Sequence, residues 1–123
     1  MTLNPSLELF ILRQNHFPTI DASLKFYPEL QVVDLSSNEI VNIPAKAFSS
    51  QKKLLELKLD NNKISEVHEW TFSGLKKLQI LDLQNNLIET VSERVFKHLP
   101  SLVMLNLKNN NIKEIGREGF RGL

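Results

Sequence analysis

The sequence predicts a solenoid, a stack of about five similar coils, because one residue pattern returns along almost the whole chain. An asparagine recurs every 23 or 24 residues, and an apolar residue follows each asparagine two positions later. A fixed period of this length is typical of repeat proteins, in which one coil cannot bury its apolar face alone and must stack on the next. The asparagines are Asn15, Asn38, Asn62, Asn86 and Asn110, and the apolar residues are Phe17, Ile40, Ile64, Ile88 and Ile112.

Aligning the chain on this period gives one motif, LxxLxLxxNxIxxIxxxxFxxL. The motif departs from its pattern at Gln51, where a leucine is expected, and the first unit is degenerate, with Leu24 in place of the phenylalanine. We expect the units to form a single domain over residues 1–123, because each needs its neighbours for a core. The units are about 7–29, 30–53, 54–77, 78–101 and 102–123.

This motif resembles that of the leucine-rich repeat family, and within it the 24-residue class of animal ectodomains, which includes Toll-like receptor, Slit-like and small proteoglycan repeats. The resemblance covers about residues 7–123. It implies an α/β solenoid, a right-handed horseshoe fragment in which each coil gives one short strand to a parallel sheet on the concave side. Short turns would occupy the convex side.

Leucines that alternate with polar residues place the strands. In Leu57-Lys58-Leu59, a period of two puts the leucines on one face and the polar side chain on the other. The interval of about eight residues from Ile43 to Gln51 has room for turns or a single helical turn, and none for a long helix. Strands are predicted near residues 8–13, 32–36, 56–60, 80–84 and 104–108.

Two columns of side chains should hold the coils together. The recurring asparagines should satisfy turn backbone groups between coils, since an amide side chain carries both a donor and an acceptor. The phenylalanines should stack on the far side of the core. The phenylalanine column is predicted to contain Phe48, Phe72, Phe96 and Phe120.

Composition narrows the class of protein. The chain is 41% hydrophobic with a net charge of +1, which argues against a disordered chain and against a general polyanion or nucleic-acid binder. No run of about 18 apolar residues occurs, so we expect no membrane insertion. The first residues lack the basic start of a signal peptide, and Asn4-Pro5-Ser6 is blocked as a glycosylation sequon by its proline.

Neither end of the sequence shows a recognisable cap. Solenoids need polar end caps for solubility, and extracellular relatives carry cysteine-bridged ones, whereas this chain has no cysteine. We therefore expect either a piece of a longer array or self-association through uncapped ends. The apolar residues at these ends are Leu7, Phe10, Leu12 and Phe17 on one side and Leu105, Leu107, Ile112 and Phe120 on the other.

The candidate partner-binding residues occupy variable positions of the predicted concave strands. Asp34, Lys58 and Asp82 should be consecutive rungs about 4.8 Å apart, where alternating charge favours neutralisation across the sheet or contact with a partner. Ile80 and Met104 belong to a largely apolar column, which favours an interaction surface unless neighbouring side chains shield it. The candidates are Asp34, Glu56, Lys58, Asp60, Ile80, Asp82, Gln84, Met104 and Asn106.

On the convex side, Trp70 is the only tryptophan and has no equivalent in the other units. Tryptophan is enriched at binding hot spots, which makes Trp70 a possible convex contact. The alternative is that its ring packs over an adjacent coil.

Catalysis finds no support in the sequence. His16, His68 and His98 fall at different repeat positions, and there is no metal-ligand spacing, phosphate loop or paired nucleophile and base. We expect neither enzyme activity nor a cofactor. The predicted function is a protein–protein recognition module from a receptor, adhesion or matrix ectodomain, hence extracellular or at the cell surface.

The acidic balance of the candidate residues predicts a protein ligand with a basic patch. Two alternatives stay open at this point. One is an intracellular, cytoplasmic or structural scaffold built on the same repeat. The other is recognition of a glycan or lipid-associated pattern on the concave face.

Overall fold

The computed structural model describes residues 6–16, 18–20, 22–92 and 94–115, which form a parallel-sheet solenoid of about four turns. Each coil contributes one three-residue strand to a five-stranded sheet, which lies on the concave side. These strands are β1 (Leu9–Ile11), β2 (Val32–Asp34), β3 (Glu56–Lys58), β5 (Ile80–Asp82) and β7 (Met104–Asn106). Equivalent residues pair in register, parallel, from coil to coil, so the predicted concave sheet is confirmed.

The strands are shorter than the sequence predicted, mainly at their carboxyl ends. Three residues beyond each strand the backbone enters the left-handed region, with φ between 57° and 62°, and this turn ends the ladder. The two residues that the prediction added at the carboxyl end of each strand belong to the approach to this turn. The residues with positive φ at this turn are Gln14, Ser37, Asn61, Asn85 and Asn109.

The other side of the solenoid carries short elements that differ among coils. Two 3-10 helices, Ala22–Phe26 and Val95–His98, agree with the predicted single helical turns. A second parallel sheet of two-residue strands was not predicted: β4 (Glu66–Val67), β6 (Thr90–Val91) and β8 (Glu114–Ile115). No helix in the described ranges is long and apolar enough to cross a membrane.

The core is a set of buried columns inside the coils. Phe48 and Phe72 stack with ring centroids 6.3 Å apart and planes 17° from parallel. Phe96 is also buried, and Leu24 fills the equivalent place in the first coil. Phe120, the predicted fourth ring, lies outside the described residues, as does Phe17 in the first unit.

Gln51 occupies a fully buried leucine position, at 0% exposure. Its Nε2 donates a hydrogen bond to the carbonyl of Leu24, 27 residues earlier, at 2.7 Å. A buried amide costs free energy unless it is hydrogen-bonded. The departure from the repeat pattern therefore links the second coil to the first.

An asparagine ladder, formed by Asn38, Asn62, Asn86 and Asn110, joins every pair of neighbouring coils. Asn62 is representative. Its Nδ2 donates to the carbonyl of Leu35 in the preceding coil at 3.1 Å and to that of Leu59 in its own coil at 3.0 Å. Its Oδ1 accepts the backbone N–H of Ile40 at 3.1 Å. The predicted role of these side chains is confirmed.

Replacing Phe72 by alanine should destabilise the chain by about 3 to 5 kcal/mol, because the cavity cannot be refilled between two fixed coils. Phe26→Ala is the control, since Phe26 is exposed. Chemical denaturation measures both free energies of unfolding. Equal, small losses would contradict the packed phenylalanine column.

Asn62→Ala should cost roughly 1 to 3 kcal/mol, since it leaves buried backbone groups without a partner. The exposed Asn42 provides a matched alanine control on the neighbouring turn. Thermal or chemical unfolding of the two variants compares them. A midpoint for Asn62→Ala no lower than that for Asn42→Ala would remove the ladder from the account of stability.

Candidate functional site

The structure brings all nine concave candidates onto one face in three adjacent columns. Glu56, Ile80 and Met104 pair in one register position of the sheet. Asp34, Lys58, Asp82 and Asn106 pair in the position two residues later. Asp60 and Gln84 follow two residues after that, just beyond the strands.

The first column exposes apolar side chains on a face open to water. Leu9 is 52% exposed and Met104 57% exposed, at the two ends of the sheet. Val32 and Ile80, between them, are partly buried. Scattered apolar residues are ordinary on a surface, whereas four apolar residues in one column of five, interrupted by Glu56, favour contact with another molecule.

Side chains of the second column also hydrogen-bond to the backbone, which the sequence did not indicate. Asp82 Oδ1 accepts the backbone N–H of Gln84 at 3.0 Å, and Asn106 Oδ1 accepts that of Lys108 at 3.1 Å. Asp34 Oδ1 makes the same bond. These are Asx turns, which guide the chain out of the strand.

Direct neutralisation across this column does not occur. Among the ion pairs of the described ranges, none joins Lys58 to Asp34 or Asp82. The reason is that each carboxylate turns along its own strand toward a backbone amide two residues on. The expected neutralisation across the sheet is therefore not made by direct ion pairs, and Lys58 is partly exposed.

Asp60 has the most perturbed carboxyl group on this face. Burial raises its pKa, and the negative charge of Asp82 raises it further, while Lys58 and a backbone hydrogen bond act in the opposite direction. Its Oδ2 accepts a hydrogen bond from Asn61 Nδ2 at 3.0 Å, whereas Oδ1 is buried without a partner. The centre of the concave face therefore holds a carboxylate whose charged form is disfavoured by burial and by Asp82 more than Lys58 favours it.

A second ladder of amides runs along the edge of this face. Asn85 Nδ2 donates to Asn61 Oδ1, and Asn109 Nδ2 donates to Asn85 Oδ1, each at 2.8 Å. Asn106 Nδ2 similarly donates to Gln84 Oε1 at 2.8 Å. Asparagine at the left-handed position of three consecutive units is the signal that could have predicted this ladder.

Trp70 lies away from these columns, on the convex side. Its ring sits 4.8 Å from the ring of His98 in the next coil, and Lys46 Nζ of the preceding coil lies 5.8 Å from its centroid. The ring remains 47% exposed. The indole thus packs over adjacent coils, which was the alternative to a contact role.

The histidines stay apart. His16 contacts Glu39 at 3.1 Å, His68 contacts Glu66 at 2.9 Å, and His98 meets Trp70. Within the part of the chain that the structure describes, no group of three or more histidine, aspartate or glutamate side chains could hold a metal ion.

The repeat geometry and a family model agree. The leucine-rich repeat model matches residues 28–88 and 76–123, which together span most of the chain. The chain belongs to the leucine-rich repeat family. It is of the animal ectodomain type, as two solved structures indicate.

The first is the crystal structure of the TLR13–ssRNA13 complex, with 29% sequence identity and a TM-score of 0.71 over 97% of this chain. The second is the complex of Toll with Spatzle from Drosophila, with 28% identity and a TM-score of 0.81 over 88% of this chain. This chain spans only 20% and 14% of the length of those two chains. No curated protein matches the chain.

The raised pKa of Asp60 predicts a pH dependence of stability. The folded state holds the Asp60 proton more tightly than the unfolded state does, so the Asp60 contribution to stability falls as pH rises from about the ordinary value of 3.8 through the higher folded pKa. Asp60→Asn should therefore raise the thermal midpoint at pH 7, and this gain should shrink as pH falls below that window.

Glu8→Gln is the control, because it removes an exposed carboxylate that lies outside this face. Scanning calorimetry at pH 3 and pH 7 makes the comparison. If Asp60→Asn raises the thermal midpoint equally at both pH values, or does not raise it at pH 7, the environment of Asp60 does not disfavour its charged form.

Proposed function

We propose that the chain is a non-enzymatic recognition module whose concave sheet binds a protein partner. The observation that carries the proposal is the largely apolar column of the sheet, from Leu9 to Met104, beside an acidic centre that Lys58 offsets only in part. The column lies on strands held in register, and Asp60 follows two residues after the end of β3. We also propose that residues 1–123 act as one domain.

Rigidity favours this face over the convex side. Side chains on paired strands are already ordered, so binding there loses less conformational freedom than binding to separate turns. The Asx turns and the amide ladder fix the neighbouring polar groups as well. The face therefore offers apolar contact at Ile80 and Met104 with fixed hydrogen-bonding groups beside it.

Charge indicates the kind of partner. Asp34, Glu56, Asp60 and Asp82 surround a single cation, Lys58, at the middle of the face. A partner with a basic patch around an apolar contact would complement this arrangement, and its association rate should fall with added salt. The same charges would repel the phosphates of a nucleic acid, which favours a protein, as in the Toll–Spatzle complex, over an RNA.

The family type and these neighbours support a place in the ectodomain of a receptor, adhesion or matrix protein. On this proposal the chain is extracellular or at the cell surface. The recognition role needs no cofactor.

Charge reversal on the concave face tests the proposal. A photo-crosslinking residue at Ile80 identifies the partner, and titration then measures its Kd. Asp60→Lys plus Asp82→Lys should weaken binding at least tenfold, about 1.4 kcal/mol. Because Asp60 is partly buried, the milder Glu56→Gln plus Asp60→Asn variant repeats the test without introducing a buried cation.

Glu66→Lys plus Glu89→Lys is the matched control, with the same change of net charge at exposed positions outside the concave face. Trp70→Ala is the convex control. If the concave variants bind normally while Trp70→Ala loses affinity, the convex side is the binding surface. If the two charge-reversal pairs weaken binding equally, only overall charge matters.

A further inference from the structure

Each coil returns to the concave sheet through a tight turn with exposed corners. In two of these turns the N–H of the fourth residue bonds the carbonyl of the first: Leu54 to Gln51 at 3.3 Å and Leu78 to Leu75 at 3.5 Å. All four of these flanking side chains are fully buried, so the two middle residues of each turn point away from the core. The exposed corners are Lys52, Lys53, Lys76 and Lys77, which we call the lysine ridge.

The backbone of the ridge is fixed by bonds to the coils on both sides. Gln51 Nε2 donates to the carbonyl of Leu24, which holds the first turn against the preceding coil. Ser101 Oγ donates to the carbonyl of Lys76 at 2.7 Å, which holds the second turn to the following coil. Coils in a parallel sheet repeat about every 4.8 Å. The four lysines therefore extend from two fixed turns on neighbouring coils, with two lysines on each turn.

The ridge carries more positive charge than its surroundings neutralise. Lys53 pairs with Glu29, on the equivalent turn of the preceding coil, at 2.5 Å. No ion pair of the described ranges engages Lys52, Lys76 or Lys77. Although the net charge is only +1, the negative and positive charges lie on different surfaces, the acidic centre of the concave sheet and the basic ridge.

We propose that the lysine ridge binds a linear sulfated polysaccharide. Lysine ammonium groups act as point charges on flexible stems, which suits sulfates spaced along a flexible chain. This surface is separate from the concave sheet, so both could be occupied together. It also differs from general polyanion binding, because the attraction is confined to one edge of the solenoid.

A nucleic acid fits the ridge less well. Single-stranded nucleic acids bind where aromatic or arginine side chains stack on their bases, and the corners of the four turns hold none of these. A stiff, broad duplex would also lie over the acidic Glu29, which contacts Lys53 of the ridge. The corner residues of the four turns are Pro28, Glu29, Lys52, Lys53, Lys76, Lys77, Pro100 and Ser101.

Immobilised heparin is the probe for this proposal. The protein should bind heparin, and chemically desulfated heparin should bind at least tenfold more weakly. Lys76→Glu plus Lys77→Glu should weaken heparin binding about tenfold or more, and should reduce the slope of log Kd against log salt by about 1 to 2, as fewer counterions are released. Lys76→Gln plus Lys77→Gln should show an intermediate loss.

Lys63→Glu plus Lys113→Glu changes the net charge equally at exposed positions off the ridge and should keep Kd within about twofold. Circular dichroism checks that each variant is folded, which we expect because the substituted residues are exposed. The proposal would be overturned if the ridge variant and the control variant lost heparin affinity equally, or if the unmodified protein did not bind heparin. It would also be overturned if single-stranded RNA of matched charge bound as tightly as heparin and lost affinity in the same ridge variant.

Discussion

The hydrogen bonds of the asparagine ladder are the constraint on which the rest of this structure depends. Each side chain connects a carbonyl of the preceding coil, a carbonyl of its own coil and an N–H of the preceding coil, as at Asn62. Buried backbone groups need such partners. Since every coil is joined in the same way, strands stay in register from β1 to β7 and surface side chains fall into straight columns.

Because equivalent residues of successive coils align in straight columns, they form continuous surfaces that differ in polarity and charge. The concave sheet gathers exposed apolar groups and acidic charge, and burial together with the neighbouring Asp82 raises the pKa of Asp60. The turn edge gathers lysines, and the convex side carries Trp70 packed against His98. A nearly neutral chain can in this way present two oppositely charged edges to two kinds of partner.

The period and its apolar positions sufficed to predict the fold, because core positions in a stacked array admit few residue types. The concave columns were also predictable, since strand alternation fixes which residues face outward. The pairing of Asp34 and Asp82 with backbone amides was not, because a carboxylate beside a lysine is equally compatible with an ion pair. Nor was the two-residue strand Thr90–Val91, whose pairing depends on how the convex turns close.

Hydroxyl-radical footprinting of the protein with and without its bound partner tests the central claim most directly. Met104 is 57% exposed on the concave face and Trp70 is 47% exposed on the convex side, so each side chain reports on one surface. If the concave sheet is the recognition surface, the partner will protect Met104 from oxidation and leave Trp70 unchanged. Protection of Trp70 with Met104 unaffected would contradict this account.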